Sequence, residues 1–80
     1  MAASPQPLTS LSLGASATVT QINVSAAGRS RLMEMGLLVG TRVTLVRTAP
    51  LGDPLELKVR GYHLTLRKGD AAHILVEPAP

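Results

Sequence analysis

The 80-residue sequence contains no Cys, no Trp and no Phe, and it has a single Tyr. Without Cys it forms no disulfides, thiolate metal sites or iron–sulfur clusters, and it fits a reducing compartment. With one aromatic residue it lacks the stacking surface that single-stranded nucleic acid needs, so we expect no nucleic-acid partner. A chain this short forms one small domain, with little room for a catalytic cleft beside its core.

Long hydrophobic runs are also missing. Stretches such as Ile74-Leu75-Val76 fall far short of the roughly 20 apolar residues that cross a bilayer. The N-terminus has no basic start followed by an apolar segment, so it does not resemble a secretory signal. We therefore expect a cytoplasmic protein that reaches a membrane only through a partner.

The residues that are present are mostly aliphatic and mildly basic. Apolar residues make up 45% of the chain and the mean hydropathy is +0.24, which argues against intrinsic disorder. The net charge of +3 is spread along the chain rather than gathered in a basic run. This pattern is typical of a solvated surface, with weak attraction to an acidic protein surface or to nucleic acid as the alternatives.

The chain divides into one domain and two tails. Residues 1–7 read as a disordered or frayed tail and residues 78–80 as a second tail, which leaves residues 8–77 as the domain. Leu8 and Leu11 are three residues apart, so one helical turn would place both against the body as a lid.

Apolar and polar residues alternate along most of the domain. This period of two predicts a mainly β fold of about five strands. The segments are 15–24, 42–48, 55–60, 63–67 and 73–77, with a short helix over 25–36 between the first two. Because exposed strand edges invite pairing with other chains, we expect these strands to close into a small barrel.

The predicted helix has recognisable ends. Ser25 can cap its N-terminus, and Gly36 suits the left-handed position beyond its last turn. Met33 and Met35 are interpreted as side chains that fill gaps in a small core.

The segment 49–54, APLGDP, is the most distinctive loop. Two prolines restrict the backbone around a Gly-Asp turn and predict a stiff connection. Leu51 at its tip has no partner in the strand pattern. It could be an apolar contact for another protein or a plug for the barrel, and the sequence leaves both open.

Two histidines are the strongest metal-binding candidates. His63 and His73 both fall on the outward-facing positions of their strands, where they could hold Fe²⁺ or Zn²⁺ as a surface or crystal-contact site. The alternative is two ordinary surface histidines. The sequence has no phosphate-binding Gly loop and no Ser elbow, so we expect no catalytic residues and no required cofactor.

Five motifs in order resemble the FeoA family, the small component of bacterial ferrous iron transport. They are LMEMGL at 32–37, Gly40-Thr41, APLGDP at 49–54, RGY at 60–62 leading into LTLR at 64–67, and AAHILV at 71–76. One departure is Val39, where the family commonly has Pro. The resemblance implies an SH3-like barrel.

The resemblance also implies a function. It suggests a non-enzymatic accessory protein that docks on the cytosolic GTP-binding portion of the Fe²⁺ transporter FeoB. The candidate contacts are Leu37, Leu38, Pro50, Leu51, Asp53, Arg60 and Tyr62. Structural alternatives are a core position for Leu37, a barrel cap for Tyr62 and a turn-holding role for Asp53.

Two other functions remain open at this point. The chain could modulate GTP hydrolysis by the transporter through Arg29, Arg31 or Arg60, because an Arg can stabilise the charge of a phosphoryl transition state. It could also be a small metal- or nucleic-acid-binding barrel. A weak homo-oligomer is a further possibility for its assembly.

Overall fold

The computed structural model describes residues 4–79, which form six strands, two α-helices and one 3-10 helix. In chain order they are β1 (Gln6–Pro7), the 3-10 helix (Leu8–Ser10), β2 (Ser16–Ile22), α1 (Ala26–Glu34), β3 (Arg42–Thr48), β4 (Leu55–Val59), β5 (Tyr62–Leu66), α2 (Lys68–Ala71) and β6 (Ile74–Pro78). The strands make one antiparallel sheet in the order β1-β6-β2-β3-β4-β5. The mainly β prediction is confirmed, with α1 following the first long strand.

Two irregularities in the pairing help the sheet to curl. The register shifts between Val19 and Gln21 where β2 pairs with β6, and between Leu45 and Arg47 where β3 pairs with β4. Such bulges bend a strand and increase its twist. The curled sheet forms the predicted small barrel, with an open seam between β1 and β5, which do not pair within residues 4–79.

The predicted tails differ from the structure at their inner ends. Gln6 and Pro7 pair with Val76 and Leu75, and β6 continues through Pro78. A proline fits an edge strand because its missing N–H is not needed by a neighbour on that side. Residues 1–3 and 80 lie outside the described part of the chain, so the rest of the tail prediction is not tested.

The core lies on the inner face of the sheet and is almost wholly aliphatic. It comprises Leu8, Leu11, Ala17, Val19, Ile22, Leu32, Leu37, Val43, Leu45, Leu55, Leu57, Val59, Leu64, Leu66, Ala71, Ile74 and Val76. The two leucines around the 3-10 helix are buried, which confirms the predicted lid. Among residues 4–79, no helix is long and apolar enough to cross a membrane.

Helix α1 begins and ends as its sequence predicts. The Ser25 hydroxyl accepts a hydrogen bond from the Gly28 amide at 3.2 Å and caps the N-terminus. Gly36 has a φ of +88°. Its amide donates to Met33 O, and the Leu37 amide donates to Leu32 O at 2.9 Å. These two bonds are the Schellman arrangement, which brings the residue after the glycine back against the helix.

That reversal corrects one predicted contact residue. Leu37 is fully buried and lies in the core with Leu32, so it is not available to a partner. Its neighbour Leu38 is 42% exposed. The hydrophobic contact that accompanies a Schellman end explains why adjacent leucines have opposite environments.

We expect Leu37→Ala to lower the free energy of unfolding by about 2–5 kcal/mol, because it removes a buried side chain and leaves a cavity. Leu38→Ala is the matched control and should cost less than about 1 kcal/mol, because surface substitutions have small effects. Urea unfolding followed by far-ultraviolet circular dichroism measures both. Equal losses in the two variants would contradict this assignment of core and surface.

The turn between β4 and β5 contains the one non-glycine residue with positive φ among residues 4–79. Arg60 has a φ of +59° and is followed by Gly61. Only the first of the two central residues has a positive φ, as in a type II′ turn, and that position favours Gly, with Asn tolerating the left-handed region better than a residue with a long side chain. The Arg is therefore held in a conformation that its own backbone preference disfavours.

We expect Arg60→Asn to stabilise the fold by about 1 kcal/mol, which corresponds to a rise in Tm of about 4–8 °C for a domain of this size. The control is Arg60→Ala, which removes the same side chain but keeps the unfavourable backbone conformation. Differential scanning calorimetry compares the two variants. A rise that is just as large in the alanine variant would show that the side chain, not the backbone, is the source of the strain.

Candidate functional site

An apolar groove lies between α1 and the segment that follows it. Its volume is about 180 Å³ and its lining residues are Ile22, Arg29, Met33, Leu38 and Val39. Met33, Leu38 and Val39 are 53%, 42% and 63% exposed. Single exposed apolar side chains are common on proteins, but several that share one concavity are typical of an interaction surface. We call these five residues the apolar groove.

The edge of the groove is fixed by hydrogen bonds. One guanidinium nitrogen of Arg29 donates to Ile22 O at 2.8 Å and ties α1 to β2. Thr41, which is buried, accepts from the Leu38 amide through its hydroxyl at 3.2 Å, and its own amide donates to Leu38 O. Leu38 and Val39 therefore lie in a tight turn, and little ordering is needed when a partner contacts them.

Sequence reasoning predicted only part of this groove. Leu38 was a candidate contact, but Met33 was interpreted as a core side chain and proves to be exposed. Met35 is the one that packs against the core. Residues two apart on a helix face different sides. The spacing of Met33 and Met35 therefore already indicated that only one of them faces the core.

The APLGDP loop presents Leu51 to solvent. Leu51 is 92% exposed, so it is not a plug for the barrel. The loop is tied at its base, where the Ala49 amide donates to Pro54 O at 3.0 Å and the Gly52 amide to Ala49 O at 2.7 Å. Pro50 is exposed beside this tip.

Asp53 has a structural partner across the loop. Its carboxylate accepts a hydrogen bond from the Lys68 amide at 2.9 Å. Asp53 therefore joins the loop to the start of α2, in addition to any role in its own turn. The Asp53–Pro54 peptide bond is cis.

Arg60 and Tyr62 lie at the other end of the sheet from this loop. β3 has seven residues and separates the turn containing Leu38 from the loop containing Leu51, a distance of roughly 20 Å. The Tyr62 hydroxyl donates to Met35 O at the end of α1. A Cβ on Gly36 would collide with this hydroxyl, so glycine is required there for space as well as for φ. The predicted contact residues thus form two separate groups.

The three arginines considered for GTP hydrolysis have different surroundings. Arg29 is bonded to Ile22 O, and an Arg31 guanidinium nitrogen lies 3.9 Å from an Asp70 carboxylate oxygen. Arg60 is exposed at its hairpin turn. Arg29 and Arg31 therefore have intramolecular partners. Within residues 4–79 the Arg60 side chain has neither an ion pair nor a hydrogen bond.

The two histidines lie on different parts of the sheet. His63 is on β5, which pairs with β4, whereas His73 precedes β6, which pairs with β1 and β2. His63 Nδ1 is 2.9 Å from Glu56 Oε2, and Arg47 Nε is 3.3 Å from Glu56 Oε1. In the part of the chain that the structure describes, no three His, Cys, Asp or Glu residues are grouped to hold a metal ion.

The metal site therefore stays a prediction from the sequence, with a direct test. If the imidazoles are ligands, the double variant His63→Gln/His73→Gln loses stoichiometric uptake of Zn²⁺ or Fe²⁺ in equilibrium dialysis. Arg47 on the Glu56 carboxylate disfavours a second cation at that position, since like charges repel. Uptake that is unchanged in the double variant would remove both histidines as ligands.

Comparisons of the sequence and of the structure with known proteins indicate the same family. The sequence model of the FeoA domain family matches residues 6–78 of this chain. The solution structure of an FeoA protein from Chlorobium tepidum superposes with a TM-score of 0.89 at 39% identity, covering 94% of this chain and 71% of that one. An FeoA-like protein from Clostridium acetobutylicum gives a TM-score of 0.85 at 36% identity, covering 95% of this chain and 88% of that one.

A curated relative carries the same domain within a much longer chain. It is the Fe(2+) transport protein A/Fe(2+) transporter FeoB fusion protein of Porphyromonas gingivalis, which is 37% identical over 70 residues. The match covers 88% of this chain but 8% of the relative. The family model, the relative and the two superposed structures agree with the ordered motifs and with the SH3-like sheet, and on this evidence the chain belongs to the FeoA family.

Proposed function

We propose that this protein is a non-enzymatic accessory of ferrous iron uptake that docks on the cytosolic portion of FeoB. The observation that carries the proposal is the fusion protein of Porphyromonas gingivalis, in which a related domain and FeoB share one chain. Tethering keeps two modules at a high effective concentration, so even a weak contact between them is populated. When such a domain is not joined to FeoB, it must instead hold its partner through its own surface.

The apolar groove is the docking surface in this proposal. It gathers three exposed apolar side chains, and its rim carries the positive charge of Arg29. Apolar residues at the centre and polar residues at the edge are the usual arrangement of a protein interface. The partner segment would place one or two apolar side chains into the groove and leave its polar groups at the rim.

Leu51 provides a second contact in the proposal. A side chain that is 92% exposed on a tethered loop loses little conformational freedom when it inserts into a partner. Leu51 and Leu38 are separated by the length of β3, which is within the span of an interface of about 800 Å² per partner. One partner surface can therefore cover both.

The proposal places the protein in the cytoplasm, where it meets the transporter without entering the membrane itself. A small domain with an aliphatic core and exposed apolar side chains such as Leu38, Val39 and Leu51 supports a binding role. Weak self-association is a separate prediction, which sedimentation velocity at several protein concentrations would measure.

The proposal predicts that Leu38→Asp weakens co-purification with the cytosolic portion of FeoB by tenfold or more, because a carboxylate would be buried against apolar surface. Leu13→Asp is the matched control, since Leu13 is 65% exposed and lies outside the groove. Circular dichroism confirms that each variant is folded. Full binding by the Leu38 variant, or an equal loss in the control, would reject the groove.

Leu51→Asp tests the loop in the same assay. If the loop contributes a contact, this variant also binds less FeoB, and the double variant with Leu38→Asp binds less than either single one. Retention of wild-type binding by Leu51→Asp would remove the loop and leave the groove. Absence of binding by the wild-type protein itself would reject the docking function.

A further inference from the structure

A second concavity lies on the outer face of the sheet, where β3 and β4 meet the end of the segment after α1. Its volume is about 300 Å³, and it is lined by Gly40, Thr41, Arg42, Thr44, Lys58 and Arg60. We call these six residues the basic cleft. It contains three cationic side chains and no carboxylate. Three of the eight Lys and Arg residues of the chain therefore line this one cavity.

The strand register explains why these side chains meet. Thr44 lies opposite Lys58, and Val43 lies opposite Val59. Arg42 and Arg60 follow at the ends of the same two strands. Directly opposed residues share a face of an antiparallel sheet and lie about 5 Å apart between Cα atoms. Arg42, Lys58 and Arg60 are all exposed, so this face presents three positive charges side by side.

The carboxylates near this face are engaged elsewhere or lie farther off. Within residues 4–79 the ion pairs join Arg31 to Asp70, Arg47 to Glu56 and His63 to Glu56, and none includes a residue of the basic cleft. Glu77 lies on the same face, but Thr18 stands between it and Arg42 in the register. The three cations are therefore not neutralised within the described structure.

Hydroxyl groups complete the donor set. The Thr44 hydroxyl lies in the cleft, 2.7 Å from the Ser16 hydroxyl on the neighbouring strand. When Ser16 is the donor in this pair, the Thr44 hydroxyl hydrogen is free to donate to an oxygen anion. Guanidinium groups match the oxygens of phosphate in pairs, and an ammonium adds a point charge. This combination of donors is typical of a site for phosphate.

Arg60 adds an independent observation. It occupies the left-handed turn position at a φ of +59°, where Asn or Gly would be less strained. A single substitution would relieve this backbone strain. Its presence supports the hypothesis that the side chain at this position is needed for another purpose. Here the turn places Arg60 among the residues that line the cleft.

We propose that the basic cleft binds a small polyanion with linked phosphoryl groups, of the size of tripolyphosphate. A cavity of about 300 Å³ lies at the lower end of the range for small-molecule sites. A polyphosphate places several negative charges within one such cavity. An extended acidic peptide instead spaces the carboxylates of one face about 7 Å apart, so it would reach beyond the cleft. The cleft shares no lining residue with the apolar groove, and the proposal is tested on the isolated chain.

The test is a titration of the ¹⁵N-labelled protein with sodium tripolyphosphate, followed by amide chemical shifts at constant ionic strength. We expect one saturable site, with shifts centred on Gly40, Thr44 and Gly61. Arg60→Asn should weaken binding by about tenfold or more, because it removes a charged hydrogen bond while keeping a compatible turn residue. The calorimetric Tm of this variant, expected to be raised, is the measurement that excludes unfolding as the reason for the loss.

The matched control is Arg67→Gln, which removes the same charge just after β5, at the end of the β4–β5 hairpin opposite Arg60 and outside the cleft. It should retain the affinity of the wild-type protein. Equal weakening in the control, or shifts that do not saturate, would show that the anion is a diffuse counter-ion and would overturn the proposal. Tighter binding of hexaglutamate than of tripolyphosphate at the same amides would also overturn it, in favour of an acidic protein segment.

Discussion

The reversal of the chain at Gly36 is the constraint on which much of this structure depends. Its left-handed backbone and missing side chain allow Leu37 to return to the core and bring the Tyr62 hydroxyl against the end of α1. The same reversal directs Leu38 and Val39 outward into the apolar groove. One glycine therefore determines both how the helix is attached to the sheet and where an apolar surface is left exposed.

Much of the fold could be predicted because its strands have one buried face. Leu55, Leu57 and Val59 alternate with Glu56 and Lys58, and this alternation is sufficient to specify β4 and its inward side. The two-residue β1 could not be predicted in this way, since so short a segment with a proline has no period. Its formation depends on an available edge of β6, which only the folded sheet provides.

The candidate site was less predictable, because contact surfaces depend on how neighbouring elements meet. The sequence singled out Leu38, and the strand predicted over 42–48 already separated it from Leu51, but nothing in the sequence showed that Met33 and Val39 would join Leu38 in one groove. It also assigned both methionines to the core, whereas only Met35 packs against it and Met33 is exposed in the groove. The basic cleft was hidden for the same reason, because Arg42, Lys58 and Arg60 become neighbours only through strand register.

Tyr62 has a consequence for how the molecule can be observed. It is the single aromatic residue of the chain, and its hydroxyl joins β5 to the carbonyl of Met35 at the end of α1. With no Trp to dominate the spectrum, all the intrinsic ultraviolet emission of the protein comes from this one junction. The residue is thus a built-in optical reporter, and its signal follows the contact between helix and sheet without any added label.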